Sequence, residues 1–216
     1  MRRSAIAALF FAVLAISPLA ANAQTMEDCF QATTRPDNLE IIRICTLALE
    51  RGQLNQGDRS AALSNRGLGH LRNKEYDKSI IDFSDSLLID SKNAYAFNSR
   101  GDAWLQMSGF DRAFADFNEA LRVDPTFTGA LYNRGLAFER QGETSNARAE
   151  YRKAIATKGT RALDNWARDR AQERLSALGD TPPPQQKQQP REQEQRNAPE
   201  QKNTGRGSDG SYRRGN

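Results

Sequence analysis

Residues 94–127 read AYAFNSRGDAWLQMSGFDRAFADFNEALRVDPTF, and this stretch decides the fold. It divides into two helices. Phe97, Gly101 and Trp104 fall at i, i+4 and i+7 on one face of the first, and Ala113, Phe117 and Ala120 are spaced identically on the second. Glycine inside a helix costs about 1 kcal/mol against alanine, so Gly101 needs a compensating reason. Close approach of a second backbone supplies one. Gly101 and Ala113 are small where the helices touch, while Phe97, Trp104 and Phe117 are large where the gap must be filled. Asp124-Pro125 ends the second helix, because proline cannot continue it and pushes its predecessor out of the α region.

The same pattern stands one unit earlier and one unit later. Gly67, Gly101 and Gly135 recur at intervals of 34 residues. Leu63/Gly67/His70 is followed by Ser79/Phe83/Ser86, and Leu131/Gly135/Phe138 by Ala147/Tyr151/Ala154. A fixed period of this length marks a helical repeat array, in which each hairpin covers its apolar face only by stacking on its neighbours.

These residues resemble the tetratricopeptide repeat family, in the exported bacterial type whose first helix carries Asn/Ser-Arg-Gly: Asn65-Arg66-Gly67, Ser99-Arg100-Gly101 and Asn133-Arg134-Gly135. The match covers three full units over residues 60–159. Thr144 departs from it where the other units have Tyr76 and Phe110, and the closing proline occurs only at Pro125. The resemblance implies an all-α fold, a right-handed superhelical solenoid of antiparallel helix pairs with a concave groove, closed by a C-terminal capping helix and followed by a disordered tail. The units are expected at 60–93, 94–127 and 128–159, after an incomplete helix pair and linker at 24–59.

In this family the groove is lined by first-helix positions between the core ones. Carried over, these are Ser64, Asn65, Leu68, Leu71 and Arg72, then Tyr95, Asn98, Ser99, Asp102, Leu105 and Gln106, then Tyr132, Asn133, Leu136, Glu139 and Arg140. Asparagine amides suit the backbone of an extended peptide, and tyrosines give rigid contact area. Each of these residues also has a plainer reading as a solvated face. Ser64 and Leu68 stand where a carboxylate-clamp version of the repeat needs Lys and Asn, so capture of a chaperone-like C-terminal carboxylate is not supported.

The chain opens with an export signal at 1–23. Arg2 and Arg3 form its charged start, 5–16 its apolar run, and Ala21-Asn22-Ala23 the cleavage site before Gln24. An uncleaved anchor is the alternative; no later stretch is apolar enough to cross a bilayer. Export places the protein in the periplasm, or alternatively outside the cell. There the chain's two cysteines, Cys29 and Cys45, are expected to pair. Overlay of the repeats aligns Ile41, Cys45 and Ala48 with Ser79, Phe83 and Ser86, and counting back puts Cys29 at the level of Gly67, facing its partner helix. A bond there clamps the first hairpin and is worth about 3 kcal/mol in the chain-entropy model. Arg35-Pro36-Asp37-Asn38 supplies the turn. A redox-active pair is the sharper reading, with no Cys-x-x-Cys spacing behind it.

Gly52 to Asp58 reads as a loop holding four extra residues before a unit that starts at Ser60. At the other end Lys158-Gly159 stops a helix, Thr160 can cap a new one, and a capping helix is expected over 160–179, with Leu163, Trp166, Ala171, Leu175 and Leu178 on one face. Trp166 is expected to be buried against Tyr151 and Ile155. From Asp180, Pro182-Pro183-Pro184 opens a Gln-, Pro- and charge-rich tail through 216 with too few apolar residues to fold.

A sequence pI near 9.2 raises the question of nucleic acid. Two of the 31 basic residues lie in the signal and seven in the tail, while five of the 27 acids lie in the tail, so the body carries 22 of each. A neutral body lacks the basic face that phosphate neutralisation requires. His70, the single histidine, replaces the core aromatics Trp104 and Phe138. No metal-ligand spacing, phosphate-cradling glycine loop or nucleophile motif occurs, so catalysis, a cofactor, a metal and a small-molecule substrate are not expected. Arg66, Arg100 and Arg134 recur with Asp82, Asp116 and Glu150, which reads as a ladder of ion pairs setting register. The expectation is a non-enzymatic interaction module that binds a protein or peptide in its groove; the alternative is a structural subunit of an envelope assembly using the convex face or the capping helix.

Overall fold

The computed structural model describes residues 26–51, 53–158 and 162–180; the expected signal, its cleavage site at Ala23 and Gln24, the Thr160 cap and the tail beyond Asp180 lie outside them. The described residues form helices joined by short turns, without strands. A helix α1, described over 26–32, is followed by α2 (Asn38–Glu50), α3 (Gln56–Arg72), α4 (Tyr76–Ile89), α5 (Ala94–Gln106), α6 (Phe110–Val123), α7 (Thr128–Arg140), α8 (Thr144–Ala156) and α9 (Ala162–Ala177). Each helix packs on the next, forming a solenoid of hairpins.

The periodic glycines sit where the hairpins close. A Cβ on Gly101 would lie 2.7 Å from the Phe117 ring, and one on Gly135 would lie 2.7 Å from that of Tyr151. The second-helix aromatic therefore lies directly on the bare backbone of its partner. Phe83, Phe117 and Tyr151 are wholly buried. The neighbouring helices fill in around them with Ala96, Ala103, Ala113, Ala130, Ala137 and Ala147, all inaccessible to solvent.

The arginine ladder joins three helices at its later steps. Arg100 donates to both Asp116 oxygens (2.9 and 2.7 Å) and to Ser84 Oγ of the preceding hairpin (3.0 Å). Arg134 repeats this with Glu150 Oε2 (3.1 and 2.6 Å) and Asn118 Oδ1 (2.7 Å), and Arg66 pairs with Asp82 (2.8 and 2.6 Å). The acids are at most 5 % exposed. His70 occupies the core-aromatic position, with Nδ1 2.5 Å from Glu75 Oε2 and Nε2 3.8 Å from Asp82 Oδ2. It is thereby held within the register network.

Cys29 and Cys45 are bonded, with a Cα–Cα distance of 4.8 Å, and both are fully buried with Ala32, Ile41 and Ala48. Asp37 caps α2 by accepting from the amides of Leu39 (3.0 Å) and Glu40 (3.1 Å), which places the Arg35–Asp37 turn between α1 and α2.

Two expectations need correction. The segment before Ser60 is not a loop through Asp58. Asn55 Oδ1 accepts from the Asp58 amide at 2.8 Å and starts α3 at Gln56, so the extra residues lengthen that helix to 17 against 13 in α5 and α7. An N-cap with an acid in the first turn outweighs Gly57.

Trp166 is likewise not buried against Tyr151 and Ile155; it is 51 % exposed. The packed face of α9 is Asp164, Ala167, Ala171 and Leu175, which leaves Trp166 off that stripe. Thr128 donates its hydroxyl to Asp164, so a buried carboxylate, unremarked in the sequence, sits on the packed face near the start of α9. Ala171 and Leu175 join Leu131, Ala147, Tyr151 and Ala154 in one cluster, and Arg148 and Arg152 donate to the Leu178 carbonyl and the Asp180 carboxylate.

Candidate functional site

The concave face is built by α3, α5 and α7, because the second helices α4, α6 and α8 take the outer positions of each hairpin. Repeat-equivalent residues line up along it: Leu68, Asp102 and Leu136 in one row, Arg72, Gln106 and Arg140 in another. Leu68, Leu71, Arg72, Asp102 and Gln106 line a cavity of about 550 Å³, together with Lys74 and Tyr76 at the α3–α4 turn and Trp166 of α9.

A polar chain runs along its floor. Arg140 donates to the Leu105 carbonyl (3.1 Å) and toward Gln106 Oε1 (3.4 Å), and Gln106 Nε2 donates to Asp102 Oδ1 (2.9 Å). Burial pushes the Asp102 carboxyl above the usual carboxylate range, against the smaller opposing effects of the Gln106 hydrogen bond and the Arg140 charge. Arg72 holds the Thr33 carbonyl at 2.9 Å and so ties the disulfide-bonded hairpin to this rim.

The remaining residues expected in the groove do other work. Asn133 Nδ2 donates to Asn98 Oδ1 (3.0 Å), linking α7 to α5, and Asn65 turns its amide toward Cys29 Sγ (3.7 Å). Tyr95 is half-buried against two core clusters, and burial raises its phenol. Leu136 packs on Leu105 and Ala137. Glu139 accepts from Tyr151 Oη (2.7 Å) and from Arg174 of α9 (3.0 Å to Nε), so the capping helix has taken up that carboxylate. Tyr132 meets the Trp166 ring edge-on at 5.6 Å.

The open part of the groove therefore lies over the first two repeats, with Trp166 as a wall. Lys74, Tyr76 and Trp166 were absent from the expected set. Lys74 adopts φ 62°, and this turn geometry, rather than helical spacing, brings it to the rim. A second cavity of about 470 Å³ lies at the α5–α6 turn, where the Arg112 guanidinium stacks 4.5 Å over Trp104. Among the described residues no group of three His, Cys, Asp or Glu is placed to hold a metal ion, and no helix is long and apolar enough to cross a membrane.

Residues 98–162 match a family model described as Tetratricopeptide repeat. The array has the fold of a tetratricopeptide-repeat solenoid. Its fold is shared with a thermophilic tetratricopeptide-repeat protein of Thermus thermophilus, at TM-score 0.62 and 15 % identity over 74 % of this chain and 84 % of that one. A tetratricopeptide-repeat protein of Parabacteroides merdae aligns at TM-score 0.54 and 17 % identity, over 73 % of this chain and 65 % of the other. No match is found among curated protein sequences. At such identities the likeness concerns the tetratricopeptide fold, and the groove chemistry has to be argued from this chain's own side chains.

Proposed function

We propose that the protein is a non-enzymatic periplasmic interaction module that binds an extended peptide or partner helix on the concave face of its tetratricopeptide array. The observation that carries this reading is the cavity of about 550 Å³ bounded by α3, α5 and α9, where Leu68, Leu71 and Trp166 offer apolar contact beside the polar Asp102 and Gln106. A concave, partly apolar surface with a few placed polar groups is the usual form of a ligand site. The location rests on the leader at 1–23, with release from the cell as the alternative.

The test is site-specific photo-crosslinking in intact cells. A crosslinker replacing Leu68 or Gln106 is expected to trap a partner that one replacing Leu88 does not. The mature protein is expected in the periplasmic fraction, beginning at Gln24.

A second reading has its own support. Ile81 and Leu88, one face of the outer helix α4, are 59 % and 85 % exposed, which suits a structural subunit of an envelope assembly. Crosslinks from Leu88 and none from the groove would favour it.

A further inference from the structure

Along the floor of the array the repeat-equivalent row reads Leu68, Asp102, Leu136, so one carboxylate takes a position that is leucine in the neighbouring units. That carboxylate lines the open cavity with Leu68 and Trp166. Gln106 donates a hydrogen bond to it, and no cation pairs with it among the described residues. The other acids of the region are matched: Arg174 holds Glu139, Arg170 holds Glu173 and Arg100 holds Asp116. Arg140, whose charge reaches Asp102, directs its guanidinium to the Leu105 carbonyl and Gln106. Withdrawing a carboxylate from water without a counter-charge is unfavourable, and a ligand cation relieves it.

Building on the groove reading above, we propose that this cavity takes the arginine or lysine side chain of an extended peptide, its cationic head on the Asp102 carboxylate and its aliphatic stem against Leu68 and the Trp166 indole. A charge-assisted hydrogen bond fixes the head, an indole attracts a cation, and long basic side chains lay their stems on apolar surface. Arg72 and Lys74 line the same cavity, so a second cation beside the first is repelled and an acidic neighbour is favoured. The preferred segment carries one basic residue flanked by an acid, the opposite of an acidic tail captured by a lysine clamp.

The experiment titrates the mature protein with fluorescein-labelled nonapeptide mixtures that share one fixed central residue, Arg, Lys, Gln, Glu or Leu, the other positions being equimolar mixtures. The Arg and Lys mixtures are expected to bind about tenfold more tightly than the Gln mixture, with the difference shrinking at high salt. The near-isosteric Asp102→Asn, checked for native helicity, is expected to lose the preference for the Arg and Lys mixtures over the Gln mixture, and Asp102→Glu to restore it. Equal binding of the Arg and Gln mixtures, tighter binding of the Glu mixture, or an unchanged preference in Asp102→Asn overturns this inference and leaves the groove reading standing. Absence of binding by every mixture overturns both.

Discussion

Trp166 stands edge-on to Tyr132, ring centroids 5.6 Å apart, with half of the indole left in solvent on the concave side of the array. A capping helix thus contributes a wall to the groove besides closing the stack. Exposed aromatic surface beside a partly desolvated carboxylate is an arrangement that packing alone does not require.

The Cys29–Cys45 bond closes the N-terminal hairpin, joining the helix described over 26–32 to α2. Replacing both cysteines with serine is expected to lower stability by about 3 kcal/mol. Hydrogen exchange should show the loss concentrated in 26–50, with α5 to α8 still protected. Uniform loss of protection would instead mean that the hairpin and the repeats unfold as one unit.

At Gly101 a methyl group meets the Phe117 ring at 2.7 Å, whereas at Gly67 the nearest atoms are 3.2 Å away. Gly101→Ala should therefore be destabilising by about 1–3 kcal/mol even though alanine is the better helix former. Gly67→Ala should cost clearly less. Paired urea titrations of the two variants test the ordering.

The ladder acids are buried and the arginines mostly so. Arg100→Ala strands Asp116 at 5 % exposure and is expected to cost about 3–5 kcal/mol, while Arg122→Ala, an exposed pair with Glu119, should change stability by less than about 1 kcal/mol. The double variant Arg100→Met with Asp116→Leu should recover much of the loss. A stable Arg100→Ala protein that fails only in partner binding would overturn the structural role of the ladder.

Burial raises the phenols of Tyr95, Tyr132 and Tyr151 above their ordinary value of 10.0. Because the folded state holds these protons more tightly, their contribution to stability is complete below about pH 10 and is lost as the pH rises above it. Tyrosinate absorbance and helicity should change together on alkaline titration. Tyr151→Phe should flatten the alkaline limb at the expense of the hydrogen bond to Glu139.

Glu139 accepts from both α8 and α9. Glu139→Ala should raise hydrogen exchange selectively in 162–177, leaving α5 and α6 unaffected. Equal protection of α9 in both proteins would show that its apolar cluster suffices to hold it.

The hairpins are legible in the sequence because their determinants are local and repeated. Gly101 with Phe117 and Arg100 with Asp116 lie at 16-residue spacings that recur three times, so each unit vouches for the others. What occurs once is harder to read. The Asn55 cap is obscured by the two glycines near it, and Gly69, which lets Ile41 and Ile42 of α2 approach closely, has no periodic counterpart. On α9 the bulky residues suggest one face, whereas alanines and Asp164 form most of the packed one. Within the groove set, sequence position alone does not separate Asp102, which lines open space, from Asn98 and Asn133, which satisfy each other.

A wall of stacked hairpins has no inherent length, since each added pair exposes a fresh surface for the next. Here α9 occupies that surface, tied down by Thr128 to Asp164 and by Arg148 to the Leu178 carbonyl. The surface on which a further hairpin of the same kind would stack is therefore already covered at this end. A larger assembly would draw instead on the groove, the outer helices, the free side of α9 or the cysteine-bearing end.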